Sequence, residues 1–209
     1  MKYKLALFDV DSTLIEQEVI DLIAARTKHG VQVANITERA MRGEIDFDEA
    51  LKQRVQLLSG LPEKVFRDVL ADISFSPGAL ELIDFLRSHD FRIGIVSGGF
   101  HNVIDPLFAE LKLDFVRANR LEIQDAELTG KTLGEIINRT AKAQALMDFA
   151  SLFRIDISET VAVGDGSNDI EMIQLAGLGV SYLGKPALRN VADVCIDKPG
   201  LEALLDFLS

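Results

Sequence analysis

The chain opens with an apolar run that ends abruptly in acidic and hydroxyl side chains, over residues 4–13 (Lys-Leu-Ala-Leu-Phe-Asp-Val-Asp-Ser-Thr). A short apolar run of this kind predicts a buried strand. In an open α/β sheet, ligands bind beyond the carboxyl ends of the strands, which is where Asp9 and Asp11 would lie. Residues two apart in an extended segment point the same way, so both carboxylates can face one ligand.

Two carboxylates held that close resist joint ionisation unless a cation or a shared proton intervenes. A divalent metal ion is the simplest way to relieve the repulsion between Asp9 and Asp11. A strand end capped by Asx-type turns would carry the same residue types, so the motif alone leaves both interpretations open.

Composition limits the class of partner and the compartment. The chain has 209 residues and a formal net charge of −11, which disfavours nucleic acid or an anionic membrane surface as a partner. The single cysteine, Cys195, excludes an intrachain disulfide and is typical of a reducing cytoplasm. No apolar run is long enough to span a bilayer. We therefore expect a cytoplasmic protein without a signal peptide, present as a monomer or homodimer.

The pattern after Thr13 changes from that of a strand to that of helices. Helices are predicted over about 14–25, 31–41 and 46–58, and from Pro62 onward, with no convincing strand before residue 76. From there strands and helices alternate, which predicts a parallel sheet with right-handed crossovers. A strand over 115–118 and a separate small hairpin near 119–130 are also predicted.

The predicted fold class is therefore α/β. Residues 1–13 and 76–209 are expected to form a Rossmann-like core, with a parallel sheet between helices. Residues 14–75 are expected to form a small helical cap inserted after the first strand.

Two later strands also end in polar loops that contain glycine. Ser97-Gly-Gly99 offers a hydroxyl and amides that could hold phosphate oxygens, although an ordinary turn has the same residues. The loop 164–169 (Gly-Asp-Gly-Ser-Asn-Asp) is more informative, because capping of the following helix explains Asp169 but not Asp165. The ends of parallel strands share one sheet edge, so these loops should converge. Lys142, early in a predicted helix, would alone be taken for a solvated side chain.

Together these motifs occur in the order of the four motifs of the haloacid dehalogenase superfamily, and the chain resembles its phosphoserine phosphatase family over almost its whole length. The resemblance rests on Asp9-Val-Asp-Ser-Thr-Leu with Glu18, Arg54-Val55, Ser97-Gly-Gly-Phe100, Ala118-Asn-Arg-Leu121 before Leu128-Thr-Gly130, Lys142, Val161-Ala-Val-Gly-Asp-Gly-Ser-Asn-Asp169, and Gly184-Lys-Pro186. The chain departs from the family at Ala126, where a hairpin glycine is common, and at Ser167, where alanine is usual.

The resemblance implies magnesium-dependent hydrolysis of O-phospho-L-serine to L-serine and phosphate, the last step of serine biosynthesis. Asp9 would be the nucleophile that forms an aspartyl-phosphate, and Asp11 the proton donor and acceptor. The expected magnesium ligands are the carboxylates of Asp9 and Asp165 and the backbone carbonyl of Asp11. Asp169 is expected to hold a water molecule or Lys142. The groups expected to bind phosphoryl oxygens are Ser97, Gly98, Lys142 and Asn168.

Substrate choice is expected to lie in the helical insert. By the same resemblance, Glu18 would bind the substrate ammonium and Arg54 its carboxylate, while Met41 and Phe47 would form an apolar wall. Read alone, each of these four residues is better explained as a charge on a helix surface or as part of the core of the cap.

Three other functions remain open at this point. The chain could be a related small-molecule phosphatase, or could pass the phosphoryl group to another small alcohol as a phosphotransferase. A different class is a phospho-accepting signalling module similar to response-regulator receivers, which also use clustered aspartates and a lysine. The helical insert after the first strand and a proton donor at Asp11 favour the enzyme.

Overall fold

In the computed structural model, residues 1–208 are described, except for the side chain of Met41. The expectation that Met41 forms part of an apolar wall therefore lies outside the described residues. The strands are β1 (Leu5–Phe8), β2 (Arg92–Phe100), β3 (Phe115–Gln124), β4 (Glu127–Leu133), β5 (Thr160–Gly164), β6 (Leu178–Tyr182) and β7 (Val194–Ile196). The α-helices are α1 (Val19–Ala24), α2 (Gly30–Met41), α3 (Phe47–Gln56), α4 (Val65–Leu70), α5 (Ala79–Ser88), α6 (His101–Phe108), α7 (Arg139–Phe153), α8 (Ile170–Leu175) and α9 (Pro186–Arg189).

The seven strands form one sheet in the order β4-β3-β2-β1-β5-β6-β7. Every neighbouring pair is parallel except β3 and β4, so the predicted α/β class with a parallel sheet is confirmed. β1 lies at the centre between β2 and β5, with Phe8 opposite Ile95 on one side and Val163 on the other. This register brings the residues after three strands to one edge of the sheet.

Both faces of the sheet are covered, and β1 shows this directly. Ala6 and Phe8 join one buried cluster, while Leu5 and Leu7 join a second cluster on the opposite face. All four side chains are fully buried. A parallel strand covered by helices on both sides is apolar at every position, which is the pattern that predicted β1 from the sequence.

Helices α1 to α4 lie between β1 and α5, in the segment predicted as a cap. Two predicted helix starts in this segment are wrong. α1 begins at Val19 rather than near residue 14, because Ile15 makes an antiparallel bridge with Phe75. α4 begins at Val65 rather than at Pro62, because Pro62 bridges to Glu127 in β4. The division into a core and a cap stays a prediction.

The loop before α4 is joined to the β3–β4 hairpin by backbone hydrogen bonds. Gly60 N donates to Leu128 O at 2.9 Å, and Leu128 N donates back to Leu61 O at 2.8 Å. Glu63 N donates to Ala126 O at 2.8 Å. The insert is therefore attached to the edge of the sheet, although the two segments are far apart in sequence.

The strand predicted over 115–118 and the first arm of the predicted hairpin are one continuous strand, β3. Its first half pairs with β2 and its second half with β4, so one strand belongs to both pairs. The hairpin turn places Asp125 at φ +52° and Ala126 at φ +61°. A two-residue hairpin turn with two positive φ angles favours glycine, which explains why alanine at position 126 is a departure from the common pattern.

No helix among residues 1–208 combines the length and apolar character that a membrane crossing requires.

Two leucines of α7 that differ in burial should differ in their contribution to the free energy of unfolding. Leu146 is fully buried, whereas Leu152 is 63% exposed. Leu146→Ala should lower the free energy of unfolding by about 2–5 kcal/mol, because it removes buried apolar surface and leaves a cavity. Leu152→Ala makes the same chemical change on the surface of the same helix and should stay within about 0.5 kcal/mol of the parent. Urea denaturation measures both, and equal losses would contradict this packing.

Candidate active site

The tight turn Val10–Leu14 presents the two carboxylates predicted at the end of β1. Asp9 N donates to Val163 O at 2.9 Å, which continues the sheet pairing by one residue. The Asp9 side chain then accepts a hydrogen bond from Val10 N at 2.8 Å through Oδ1. Ser12 takes a left-handed conformation with φ +55°, and this turns the chain sharply away from the sheet. Asp9 and Asp11 are both buried at this edge.

Lys142 lies between two aspartates at the centre of the site. Its Nζ is 2.7 Å from Asp9 Oδ1 and 2.7 Å from Asp169 Oδ1, and its side chain is fully buried. Burial alone would lower the pKa of Lys142, but the charges and hydrogen bonds of Asp169 and Asp9 outweigh burial and raise it. Lys142 is therefore a fixed cation, not the solvated side chain that it resembles in the sequence.

Asp169 also shapes the loop that follows β5. Its Oδ2 accepts hydrogen bonds from Asp165 N at 3.2 Å and from Gly166 N at 3.1 Å. A Cβ atom at Gly164 would lie 2.5 Å from the Asp169 carboxylate, so the close approach requires glycine there. Because Lys142 and two amides engage both oxygens of Asp169, its role is to hold the loop and the lysine.

A divalent cation fits the carboxylates gathered here. Oxygen atoms of Asp9, Asp165 and Asp169 all lie within 4.8 Å of one another. Asp165 Oδ1 is buried without a hydrogen-bond partner among residues 1–208. Burial and then the charge of Asp169 raise the pKa of Asp9 to about 7. Burial, with the charges of Glu18, Asp169 and Asp9, raises the pKa of Asp165 well above its ordinary value. A bound cation would relieve the repulsion among these carboxylates. Carboxylate oxygens are hard donors, which are the ligands that magnesium and calcium prefer.

Asp11 differs from its neighbour because its carboxylate lies outside that group of three. Its Oδ1 is also buried without a hydrogen-bond partner in the described part of the chain. Burial, followed by the charges of Glu18 and Asp9, raises the pKa of Asp11 well above 3.8. A carboxyl group with a raised pKa can carry a proton near neutral pH, as a general acid must.

Gly98 and Gly99, at the end of β2, line one side of the cavity. Gly99 N donates to Ser97 Oγ at 2.8 Å, and Ser97 is fully buried. A Cβ atom at Gly98 would lie 2.8 Å from the ring of Phe47, so the insert closely approaches the core here. Asn168 Oδ1 is buried without a partner within residues 1–208. The cavity between these elements is lined by Asp9, Asp11, Glu18, Ile20, Ala40, Phe47, Leu51, Arg54, Gly98, Gly99 and Asn168.

Two charged residues of the insert line the same cavity. Glu18 Oε1 accepts a hydrogen bond from Ser12 Oγ at 2.7 Å, while burial raises the pKa of the Glu18 carboxyl. Arg54 is only 5% exposed, and no carboxylate within residues 1–208 lies within 4.0 Å of its guanidinium. A buried cation without a direct anionic partner is a ready site for an anion.

The structure brings the predicted site residues other than Met41 together around this cavity. Ser97, Lys142 and Asp165 do not line it but lie next to residues that do. Ser97 Oγ accepts a hydrogen bond from Gly99 N, and Lys142 Nζ and a carboxylate oxygen of Asp165 lie close to Asp9. Two hydroxyls to which the sequence assigned no role contact the charged residues of the insert: Ser12 contacts Glu18, and Thr37 contacts Arg54. Ser12 stands in the motif after β1, whereas no local pattern pointed to Thr37, because its partners come from other helices.

Comparisons with known proteins agree with this geometry. A sequence profile of the haloacid dehalogenase-like hydrolases matches residues 6–174. Phosphoserine phosphatase SerB2 from Mycobacterium tuberculosis is 52% identical over 205 residues, which are 98% of this chain but only 50% of that protein. Phosphoserine phosphatase from Streptococcus thermophilus is 47% identical over 204 residues, covering 98% of this chain and 95% of that protein.

Among solved structures, one described as a phospho-aspartyl intermediate analogue of phosphoserine phosphatase superposes with a TM-score of 0.96 and 39% identity, covering 100% of both chains. The haloacid dehalogenase-like α/β fold, with a mostly parallel seven-stranded sheet flanked by helices, is thus the fold of this chain. The chain belongs to the haloacid dehalogenase-like hydrolases and, within them, to the phosphoserine phosphatase family.

Proposed function

We propose that this chain hydrolyses O-phospho-L-serine to L-serine and inorganic phosphate through an aspartyl-phosphate on Asp9. The observation that carries the proposal is the pairing of Asp9, fixed by Lys142 at 2.7 Å, with an Asp11 whose pKa is raised by burial. One carboxylate is held in place to attack and the other can carry a proton. The family membership and the close superposition on a phospho-aspartyl intermediate analogue support the same chemistry.

The first half of the reaction is a displacement at phosphorus. A carboxylate oxygen of Asp9 attacks phosphorus as the bond from phosphorus to the serine oxygen breaks. Asp11 donates its proton to that oxygen, so serine leaves as the alcohol. Lys142, through its ammonium, holds Asp9 in place and offsets negative charge at the phosphoryl oxygens.

The second half regenerates the enzyme. Asp11, now ionised, removes a proton from a water molecule that attacks phosphorus, and the bond from Asp9 to phosphorus breaks to release phosphate. Donors that hold the phosphoryl oxygens in both halves lower the barrier by positioning and charge stabilisation. We assign this role to Ser97, Gly98, Lys142 and Asn168.

Magnesium is the metal that we propose to bind at this cluster of aspartate carboxylates. Asp9 and Asp165 would hold it through their carboxylates and Asp11 through its backbone carbonyl. When bound, the ion would neutralise negative charge on the phosphoryl oxygens and on the two carboxylates.

Substrate selection is assigned to the insert. Arg54 would bind the substrate carboxylate through its planar fork, and Glu18 would bind the ammonium. Phe47 lies beside Arg54, with the guanidinium carbon 5.9 Å from the ring centroid, and would form one apolar wall. The insert, residues 14–75, would act as a cap that excludes water while the bond breaks.

The family membership bears differently on the other functions that the sequence left open. Membership of a hydrolase family replaces the receiver-like module as the interpretation of the clustered aspartates. Transfer of the phosphoryl group to another alcohol instead of water would use the same residues and remains a side reaction to test. A cytoplasmic location, and a monomer or homodimer, stay predictions.

Asp9→Asn should reduce turnover of phosphoserine by at least about a thousandfold, because an amide cannot act as the nucleophile. Rapid acid quenching of the parent during turnover should trap a phosphorylated protein, and the variant should give none. Asp68→Asn, an exposed change in α4, is the matched control and should behave like the parent. Turnover at the parent rate in Asp9→Asn would eliminate this mechanism.

Removal of metal should abolish activity and also change how stability depends on pH. A carboxyl group whose pKa is raised in the folded state stabilises that state below the unfolded-state pKa, and this stabilisation is lost as pH rises through the folded-state pKa. With the pKa of Asp9 near 7, the metal-free protein should lose this contribution between about pH 4 and about pH 7.

Magnesium competes with protons for the same carboxylates. Its addition should therefore raise the thermal unfolding midpoint more at about pH 8 than at about pH 5. Differential scanning calorimetry with a chelator or with magnesium measures this shift. An equal shift at both pH values, or full activity in chelator, would contradict the proposed site.

Arg54→Ala should lower kcat/KM for phosphoserine by roughly thirtyfold or more, since losing one member of a buried charge pair costs about 2–5 kcal/mol. Hydrolysis of O-phosphoethanolamine, which keeps the amine but lacks the carboxylate, should fall far less. Arg54→Lys should restore only part of the loss, because an ammonium lacks the two-pronged geometry. Arg67→Ala, at an exposed position in α4, is the control. Equal losses on both substrates would show that Arg54 does not bind the carboxylate.

A further inference from the structure

The guanidinium of Arg54 is held on its protein side by two groups, and one of them is a buried hydroxyl. Arg54 Nε donates to Ala50 O, one turn earlier in α3, at 3.2 Å. Arg54 Nη1 donates to Thr37 Oγ1 of α2 at 3.1 Å. Thr37 is only 4% exposed, so this contact is shielded from solvent. The first bond is local to the helix, and the second fixes the guanidinium relative to a different helix.

The same hydroxyl contacts an aspartate from a third helix. Thr37 Oγ1 donates to Asp21 Oδ1 of α1 at 2.8 Å. Val33 O, 3.1 Å away, is the other acceptor within reach, but it lies one turn earlier in the same helix. A hydroxyl has one proton and two lone pairs, a guanidinium can only donate, and an ionised carboxylate can only accept. Arg54 is therefore the donor to Thr37, and Asp21 is the nearer of the two acceptors for the hydroxyl proton.

Asp21 acts on Arg54 without forming a direct ion pair. Within residues 1–208, no carboxylate oxygen lies within 4.0 Å of the guanidinium. A direct bidentate pair would occupy the fork that an anionic ligand needs. With the hydroxyl between them, Asp21 orients Arg54 and leaves part of the fork open. A guanidinium has five N–H donors, and the two bonds described use Nε and one proton of Nη1. One proton of Nη1 and both protons of Nη2 remain for a ligand.

We propose that Thr37, supported by Asp21, is a positioning residue that orients Arg54 and thereby sets the preference for phosphomonoesters that carry a carboxylate. The inference rests on the proposed function, because it takes Arg54 as the group that binds that carboxylate. Thr37 lines the neighbouring cavity with Glu18 and Asp21. Within residues 1–208 its hydroxyl is hydrogen-bonded only to groups of the insert, Asp21, Val33 and Arg54. Its effect on the chemistry is therefore exerted through Arg54.

Thr37→Val replaces the hydroxyl by a methyl group of nearly the same size, so it removes the hydrogen bonds without a large change in packing. kcat/KM for phosphoserine should fall at least about tenfold, as expected for a lost hydrogen bond to a charged group. The loss should be mainly in KM, because Arg54 binds a part of the substrate that does not react. kcat/KM for O-phosphoethanolamine should change less than about threefold on the same scale. Thr37→Ser, which keeps the hydroxyl, should restore most of the loss.

Two further variants separate positioning from a general loosening of the insert. Thr27→Val removes a hydroxyl that bonds to Ala24 O in the same insert and should leave the ratio between the two substrates unchanged. In the Arg54→Ala background, Thr37→Val should add no further loss on phosphoserine, since the group that it positions is gone. Equal losses on both substrates, or an unchanged loss in that background, would overturn the inference.

The outcome also separates this inference from the proposed function. If Arg54→Ala reduced both substrates equally, the assigned role of Arg54 would fail and the inference with it. If Arg54→Ala were selective and Thr37→Val were not, only the inference would fail. Should Thr37→Val not fold, Asp21→Asn tests the same series of hydrogen bonds from the aspartate end. It should give a smaller loss on phosphoserine alone, and no selective loss in that variant would overturn the inference.

Discussion

The site depends on the two ion pairs that one buried lysine makes with two aspartates. Lys142 contacts Asp9 and Asp169 at the same distance, 2.7 Å, without exposure to solvent. Removing one charge from such a group would leave the others buried and uncompensated, which is strongly destabilising. The strand ends, the loop after β5 and the first turn of α7 are therefore linked by one electrostatic arrangement. It holds Asp9 in place. Among residues 1–208, one carboxylate oxygen of Asp165 and one of Asp11 are buried without a hydrogen-bond partner.

In the proposed mechanism, chemistry and recognition come from different parts of the chain. The carboxylates, the lysine and the loops that we propose to bind phosphate all lie at the sheet edge. The insert contains Glu18 and Arg54. Glu18 accepts a hydrogen bond from the Ser12 hydroxyl, and Arg54 donates one to the Thr37 hydroxyl. A change in the insert can therefore alter which phosphomonoester is chosen while the bond-breaking groups stay in place. This separation is the reason that substrate pairs, rather than a single activity, are the informative measurement.

The sequence predicted positions well where the signal was local or where strand ends had to converge. Asp9 and Asp165 lie close together, as predicted from polar residues that directly follow apolar strands in a parallel sheet. The starts of α1 and α4 were wrong, because Ile15 and Pro62 pair with residues about 60 positions away, a preference that no helix pattern contains. Thr37 was missed for the same physical reason: a threonine in an amphipathic helix has no signal until the tertiary fold supplies its partners.

The backbone pairing between the loop before α4 and the β3–β4 hairpin has a consequence for how the protein behaves in a crowded solution. β4 is the outermost strand on its side of the sheet, and an unpaired outer strand can bind a strand of another molecule. Hydrogen bonds from Gly60 and Glu63 occupy groups along this edge. At the opposite margin, β7 has only three residues, which offers little length for pairing. The insert thus covers the hairpin end of this outer strand and shortens the length that is open to pairing with another molecule.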